Sequence, residues 1–157
     1  MKSKVYVKCE LGYWELEEEN EKITALNFIG ELVEHEKEMP ININPILDEG
    51  KKQLEEYFHG QRQEFSLPLH LEGTTFQKKV WKALQEIPYG TTKSYQEVAL
   101  NVGNINSVRA VGGANHHNPI SIIVPCHRVI GKNGTLVGYG GGLDVKAFLL
   151  GLEATRT

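Results

Sequence analysis

The stretch SYQEVALNVGNINSVRAVGGA, residues 94–114, decides the fold of the second half of the chain. Ser94 stands three residues before Glu97, the spacing at which a hydroxyl cap and a reciprocal carboxylate open a helix. Tyr95, Val98 and Ala99 continue that helix, and Gly103 breaks it. Ser107 starts a second helix through Val108, Arg109, Ala110 and Val111. Two short helices joined by a glycine-containing turn have the outline of a helix-turn-helix. Many helical domains share that outline, so alone it leaves DNA binding as one reading among several.

Outward from this core, Thr74 or Thr75 can cap a helix with Phe76, Val80, Leu84 and Ile87 as its stripe and Trp81 beside it. Pro88-Tyr89-Gly90 ends it. Downstream, the β-branched run Ile120–Val124 reads as a buried strand or extended core segment. It leads to Pro125-Cys126-His127-Arg128-Val129-Ile130, then to a glycine-rich loop from Gly131 to Gly142. A final helix from Leu143 to about Ala154 is apolar over most of its circumference and is expected to be largely buried.

The first third reads differently. Val5–Cys9, Gly12–Leu16 and Ile23–Ile29 are β-favouring runs punctuated by Gly12 and Asn20, as in a meander. A charged stretch from Glu31 to Pro45 reads as loop. Ile46, Leu47, Leu54, Tyr57 and Phe58 then recur near helical spacing, with Gly60 as a stop, before an extended piece around Phe65–Leu69. Gly73 marks the boundary. The expected fold is α+β: a small N-terminal α/β module, residues 1–73, and a mostly helical C-terminal domain, residues 74–157, carrying the helix-turn-helix.

The 157 residues are 40% hydrophobic and 24% charged, values that exclude wholesale disorder. No apolar run reaches the roughly 18–20 residues of a membrane span, and the polar start Met1–Lys4 is unlike a signal peptide. Two cysteines are too few for a disulfide framework, so a reducing, cytoplasmic setting is expected. The net charge of −3 hides an asymmetry: eight Lys/Arg against sixteen Asp/Glu in residues 1–73, nine against four in residues 74–157. A basic half is a cue for a polyanion facing it, and a chance split of solvated faces is the plain alternative.

Cys126 is the natural focus for chemistry, because a thiol becomes a nucleophile beside a base or cation, and His127 and Arg128 follow it. An inert buried cysteine is the competing reading. Adjacent side chains do not share a face, so a relay through a water fits Cys126 and His127 better than a direct pair. Glu153, a carboxylate on an apolar helix, is the candidate to orient the histidine; a surface charge pair with Lys146 is equally open. The loop Val137-Gly138-Tyr139-Gly140-Gly141-Gly142 lacks the spacing of a dinucleotide or phosphate loop. It does permit close backbone approach to a flat ligand. No metal-ligand spacing is present, and neither a metal nor a cofactor is expected.

The run Pro125–Ile130 resembles the active-site signature of the methylated-DNA–protein-cysteine methyltransferases, the O6-alkylguanine-DNA alkyltransferases. Ile87-Pro88-Tyr89-Gly90 with Ser94-Tyr95, Arg109–Ala114, Asn118-Pro119, and Gly138-Tyr139 followed by Gly141-Gly142-Leu143 are similar to that family in order and spacing. The resemblance is strong over residues 74–154 and implies that the N-terminal module is ribonuclease-H-like. It implies irreversible, single-turnover transfer of an alkyl group from O6-alkylguanine, and as a second candidate O4-alkylthymine, in double-stranded DNA to Cys126.

The resemblance also assigns roles. His127 would be the base through a water, Glu153 its orienter, Asn118 the fixer of the active-site turn and a further orienter of the histidine, and Tyr95 a hydroxyl donor to the base. Arg109 would enter the base stack as the nucleotide flips out through the minor groove. Ser94, Tyr95, Ala110, Gly112, Ala114 and Arg128 would contact DNA. Pro125, Val137, Gly138, Tyr139, Gly140, Gly141 and Lys146 would form the pocket. A monomer that clusters on DNA is the expected assembly, with no membrane partner. A DNA-binding module without catalysis and a cysteine hydrolase remain the competing classes.

Overall fold

The computed structural model describes residues 2–32, 44–103, 105–139 and 141–154. The chain divides into two compact units, residues 1–70 and 71–157, so the division falls three residues before the expected Gly73. Much of the expected loop from Glu31 to Pro45 lies outside the described residues.

In the first unit, β1 (Ser3–Cys9), β2 (Gly12–Glu19) and β3 (Lys22–Gly30) form an antiparallel meander in the order β1-β2-β3. The β2–β3 turn puts Asn20 and Glu21 at φ 53° and 64°, the left-handed pair that matches the twist of a two-residue hairpin. Period-two alternation sends Trp14, Leu16 and Glu18 to one buried face. Helix α1 (Pro45–Phe58) covers that sheet with Leu47, Leu54 and Tyr57. The buried Glu18 carboxylate accepts from the Glu21 amide and from Asn44 Nδ2, both at 2.8 Å. Asn44 Oδ1 in turn caps α1 by accepting from the Leu47 amide at 3.1 Å. One carboxylate thus ties the hairpin turn to the helix start. The extended piece before residue 70 runs parallel to β3, bridging Ile23 and Leu69.

In the second unit, α2 (Thr75–Gln85) opens on a capping box between Thr74 and Gln77. Helix α3 (Tyr95–Asn101) opens on the expected box between Ser94 and Glu97. Gly103, at φ 101°, makes the turn, and α4 (Val108–His116) completes the helix-turn-helix. Trp81 ties α2 to α4 by donating from Nε1 to the Ala114 carbonyl at 2.8 Å. A two-residue parallel pair, β4 (Lys93–Ser94) with β5 (Val129–Ile130), sets the segment after Cys126 beside the start of α3. Helix α5 (Leu143–Ala154) closes the unit.

Two expectations need correction. Ile120–Val124 is not a strand: it turns, with Ile122 at φ 71° and Ile120, Ile122 and Val124 buried. The Asn118 side chain imposes the turn by donating to the Val124 carbonyl at 2.7 Å and accepting from the Ile120 amide at 3.0 Å. Local side-chain bonding here overrides the β-branched preference. Helix α5 is buried along one face only, through Val145, Lys146, Leu149 and Glu153, while Leu143 is 48% exposed.

The Thr74 cap stands at an exposed helix end, so its loss is felt without rearrangement of the core. Thr74→Ala is expected to lower stability by about 1 kcal/mol, and Thr74→Gly by only a few tenths. Urea unfolding should show a lower midpoint at unchanged slope.

Candidate active site

Cys126 begins a 3-10 turn, Cys126–Arg128, held after Pro125 by the bond from the Arg128 amide to the Pro125 carbonyl at 3.0 Å. The tight turn lets the consecutive side chains His127 and Arg128 both reach α5. Glu153 Oε2 accepts from His127 Nε2 at 2.7 Å and from Arg128 Nη2 at 3.0 Å. Its Oε1 accepts from Arg128 Nε at 2.8 Å and from the Gly90 amide at 3.4 Å. Arg128 Nη1 also donates to the Ile87 carbonyl at 2.8 Å. All three side chains are buried. This resolves the two readings of Glu153: its partners are His127 and Arg128, while Lys146 turns elsewhere.

The electrostatics follow from burial and pairing. Burial pushes the Glu153 carboxyl up, but hydrogen bonds from His127 and Arg128 outweigh it and hold the group well below the usual carboxylate range. Burial lowers the His127 pKa, only partly opposed by Glu153, which favours the neutral ring. A neutral ring that donates from Nε2 to a carboxylate keeps its lone pair on Nδ1. That Nδ1 is buried and makes no hydrogen bond among the described residues.

Cys126 is 4% exposed, and burial raises its thiol pKa. Hydrogen bonds from Asn118 and Ser121 and the charge of Lys146 pull it partly back. No hydrogen bond joins Cys126 to His127, as their adjacency in sequence predicted. Lys146 is a fully buried cation whose Nζ donates to the carbonyls of Val129, Val137 and Gly138 at 2.6, 2.9 and 3.4 Å. Tyr95 donates from its hydroxyl to the same Val137 carbonyl at 3.2 Å. Asn115 bridges from Nδ2 to the Cys126 carbonyl at 3.4 Å and to the Tyr95 hydroxyl at 3.5 Å. Tyr139 is buried and Gly141 half-buried; Gly140 lies outside the described residues.

Cys126, His127, Glu153, Asn118, Tyr95, Pro125, Val137, Gly138 and Lys146 are thus linked by bonds or chain contiguity around one thiol. Arg109 and Ala110 stand elsewhere, exposed on α4, with Gly112 half-buried. Ser94 uses its hydroxyl oxygen to cap α3. Two expected DNA contacts need correction. Arg128 spends its guanidinium on Glu153 and Ile87 inside the protein, and Ala114, 3% exposed, faces the core of the unit. Asn115 and Ser121 were not singled out from the sequence. A polar residue one helical turn after the buried Val111, and a hydroxyl inside an apolar run, were the available signals.

Comparison with known proteins places both units. Residues 75–155 match the family model described as 6-O-methylguanine DNA methyltransferase, DNA binding domain, and residues 2–71 match its ribonuclease-like domain. A constitutive methylated-DNA–protein-cysteine methyltransferase of Bacillus subtilis is 50% identical over 148 residues, covering 91% of this chain and 90% of the relative. One from Methanosarcina acetivorans is 60% identical over 107 residues, 68% of this chain and 69% of the relative. Among solved structures, Mycobacterium tuberculosis OGT in complex with DNA is 43% identical. It superposes with a TM-score of 0.84 over 96% of this chain and 92% of its own.

Arg128→Met, leaving Glu153 buried without its main cation, should cost roughly 3–5 kcal/mol in unfolding free energy, and Arg128→Lys should not restore the two-pronged bond. His127 and Glu153 both bind protons more weakly folded than unfolded, so stability is lost as pH falls. The loss begins below the ordinary histidine value of 6.5 and continues below the ordinary glutamate value of 4.5. Chemical denaturation across that range should show both steps, and His127→Gln should remove the first.

Proposed function

The chain belongs to the methylated-DNA–protein-cysteine methyltransferases, and from that premise we propose that it repairs DNA by moving an alkyl group from guanine O6 onto Cys126. The observation that carries this reading is the protonation pattern around the thiol. Glu153 accepts from His127 Nε2, and the lone pair is left on a buried, unpaired Nδ1 of the residue that follows Cys126 in the chain. That is the arrangement a general base requires.

In the reaction the Cys126 thiol gives its proton through a water to His127. The sulfur forms a bond to the alkyl carbon as the carbon–O6 bond breaks. The electron pair stays on the guanine oxygen, and the proton that left the thiol ends on the departing guanine. Buried Lys146 stabilises the thiolate as it forms, and the Tyr95 hydroxyl turns from the Val137 carbonyl to donate to the base as charge develops. The thioether has no route back, so each chain acts once. A base in the duplex hides its O6 substituent, and the nucleotide must therefore leave the stack to reach a thiol this buried. O4-alkylthymine is a second candidate substrate.

Arg109, exposed on α4, would take up the vacated stack. The face around it supports a close partner. A Cβ built at Gly112 or Gly113 meets nothing within 4 Å, so packing within the described residues does not require glycine there. The partner we infer is the sugar–phosphate wall of a narrow groove. Among the described residues no helix is long and apolar enough to cross a membrane. The proposed setting is the cytoplasm, where a free thiol stays reduced, with a monomer that clusters along the duplex.

Incubation with a duplex bearing one O6-methylguanine should add a single methyl per chain, mapped to Cys126 by peptide mass. An unmodified thiol on folded protein would sink the reading. The raised thiol pKa makes the wild-type transfer rate climb with pH. His127→Gln should slow it by roughly 10²–10⁴-fold. Gly112→Ala should leave the fold intact, and by helix propensity stabilise it by up to about 1 kcal/mol, yet weaken duplex binding in a titration.

A further inference from the structure

The solvent face of α4 carries Arg109, Ala110, Gly113 and His116, and His117 follows as the C-cap residue. Arg109 and His117 stand eight residues apart, about 12 Å along a helix axis. The first unit's acidity and the active site account for none of these imidazoles.

His117 Nδ1 lies 2.7 Å from the Gly113 carbonyl oxygen. A carbonyl only accepts, so Nδ1 carries the hydrogen, and a neutral ring then shows a bare lone pair at Nε2. The last carbonyls of a helix add partial negative charge at the same end. A neutral His117 therefore turns a phosphate away, whereas a protonated one donates from Nε2 while Nδ1–H stays on Gly113. The His116 ring packs edge-on against it, 5.4 Å between centroids. Both rings are exposed, and among the described residues neither pairs with a carboxylate. Neighbouring helices carry Lys78, Lys79 and Lys82 on α2 and Glu97 on α3, with Arg109 on α4 itself. Glu97 is engaged by the Ser94 amide and Lys93.

We propose that His117 is a proton-linked phosphate contact, so that DNA binding takes up a proton at the C-terminal end of α4. The proposal rests on the reading that α4 lies against DNA. A protonated ring grips a phosphate where a neutral one does not, so binding at this end should tighten as pH falls.

The test is titration of the full chain with unmodified duplex DNA at pH 6 and pH 8 across about 50–200 mM salt. For the wild type, the slope of log affinity against log salt should be steeper by about 0.9 at pH 6. One extra phosphate contact of that kind costs about three- to fourfold more affinity over the salt range. His117→Gln should show the shallower slope at both pH values, His117→Lys the steeper slope at both, and His116→Gln the wild-type difference. Coincident wild-type slopes, or a difference that survives in His117→Gln, would overturn the proposal. Methyl transfer to an O6-methylguanine duplex at pH 8 separates the two levels. His117→Gln should still take one methyl on Cys126. A wild-type chain that neither takes the methyl nor binds the duplex overturns the repair reading and this contact together.

Discussion

The second unit is organised around one carboxylate. Glu153 gathers the His127 imidazole, two nitrogens of Arg128 and the Gly90 amide. Through Arg128 it also holds the Ile87 carbonyl. A buried charge is tolerable only when its lone pairs are this fully engaged, and the same low dielectric that makes the arrangement costly to break makes it directional. The consequence runs in both directions along the chain. Toward Gly90 it fixes the turn ahead of α3, and toward Cys126 it fixes which nitrogen of His127 bears a hydrogen.

The cations of the unit divide into two kinds. Arg128 and Lys146 are buried and bond to a carboxylate and to carbonyls, so they shape the site and offer nothing to a polyanion. Arg109 is exposed on the helix whose glycines meet open space. The charge asymmetry between the halves therefore overstates the field available to DNA, because it counts Lys146, whose charge is spent on the protein's own carbonyls.

What the sequence made legible was local. The helix start at Thr74 or Thr75, the capping box at Ser94, the Gly103 turn and the β2–β3 hairpin are set by residues within four positions of one another. What it concealed depended on partners further off. Ile120–Val124 has the composition of a strand, but an amide six residues from Val124 bends it. Arg128 has the composition of a phosphate contact, but its carboxylate lies on α5, 25 residues away. Ala114 is a different case: it follows Val111 by one helical turn, and the period alone would have put it inside. Within the site, a carboxylate on an apolar helix face demands a partner, but the residues alone left Glu153 open between His127 and Lys146, and the structure gives it His127 and Arg128. Asn115 was hidden because its two acceptors, a backbone carbonyl and a phenol, leave no mark in composition.

The depth of Cys126 bears on how such a protein survives until it is needed. A molecule that can act once is wasted by any side reaction, and thiols are consumed by peroxides and stray electrophiles chiefly in their ionised, accessible form. Here burial both shields the sulfur and favours its protonated form, while His127, the base we propose for it, is the neighbouring residue. The site is stored unreactive. Its shelf life is written into that burial.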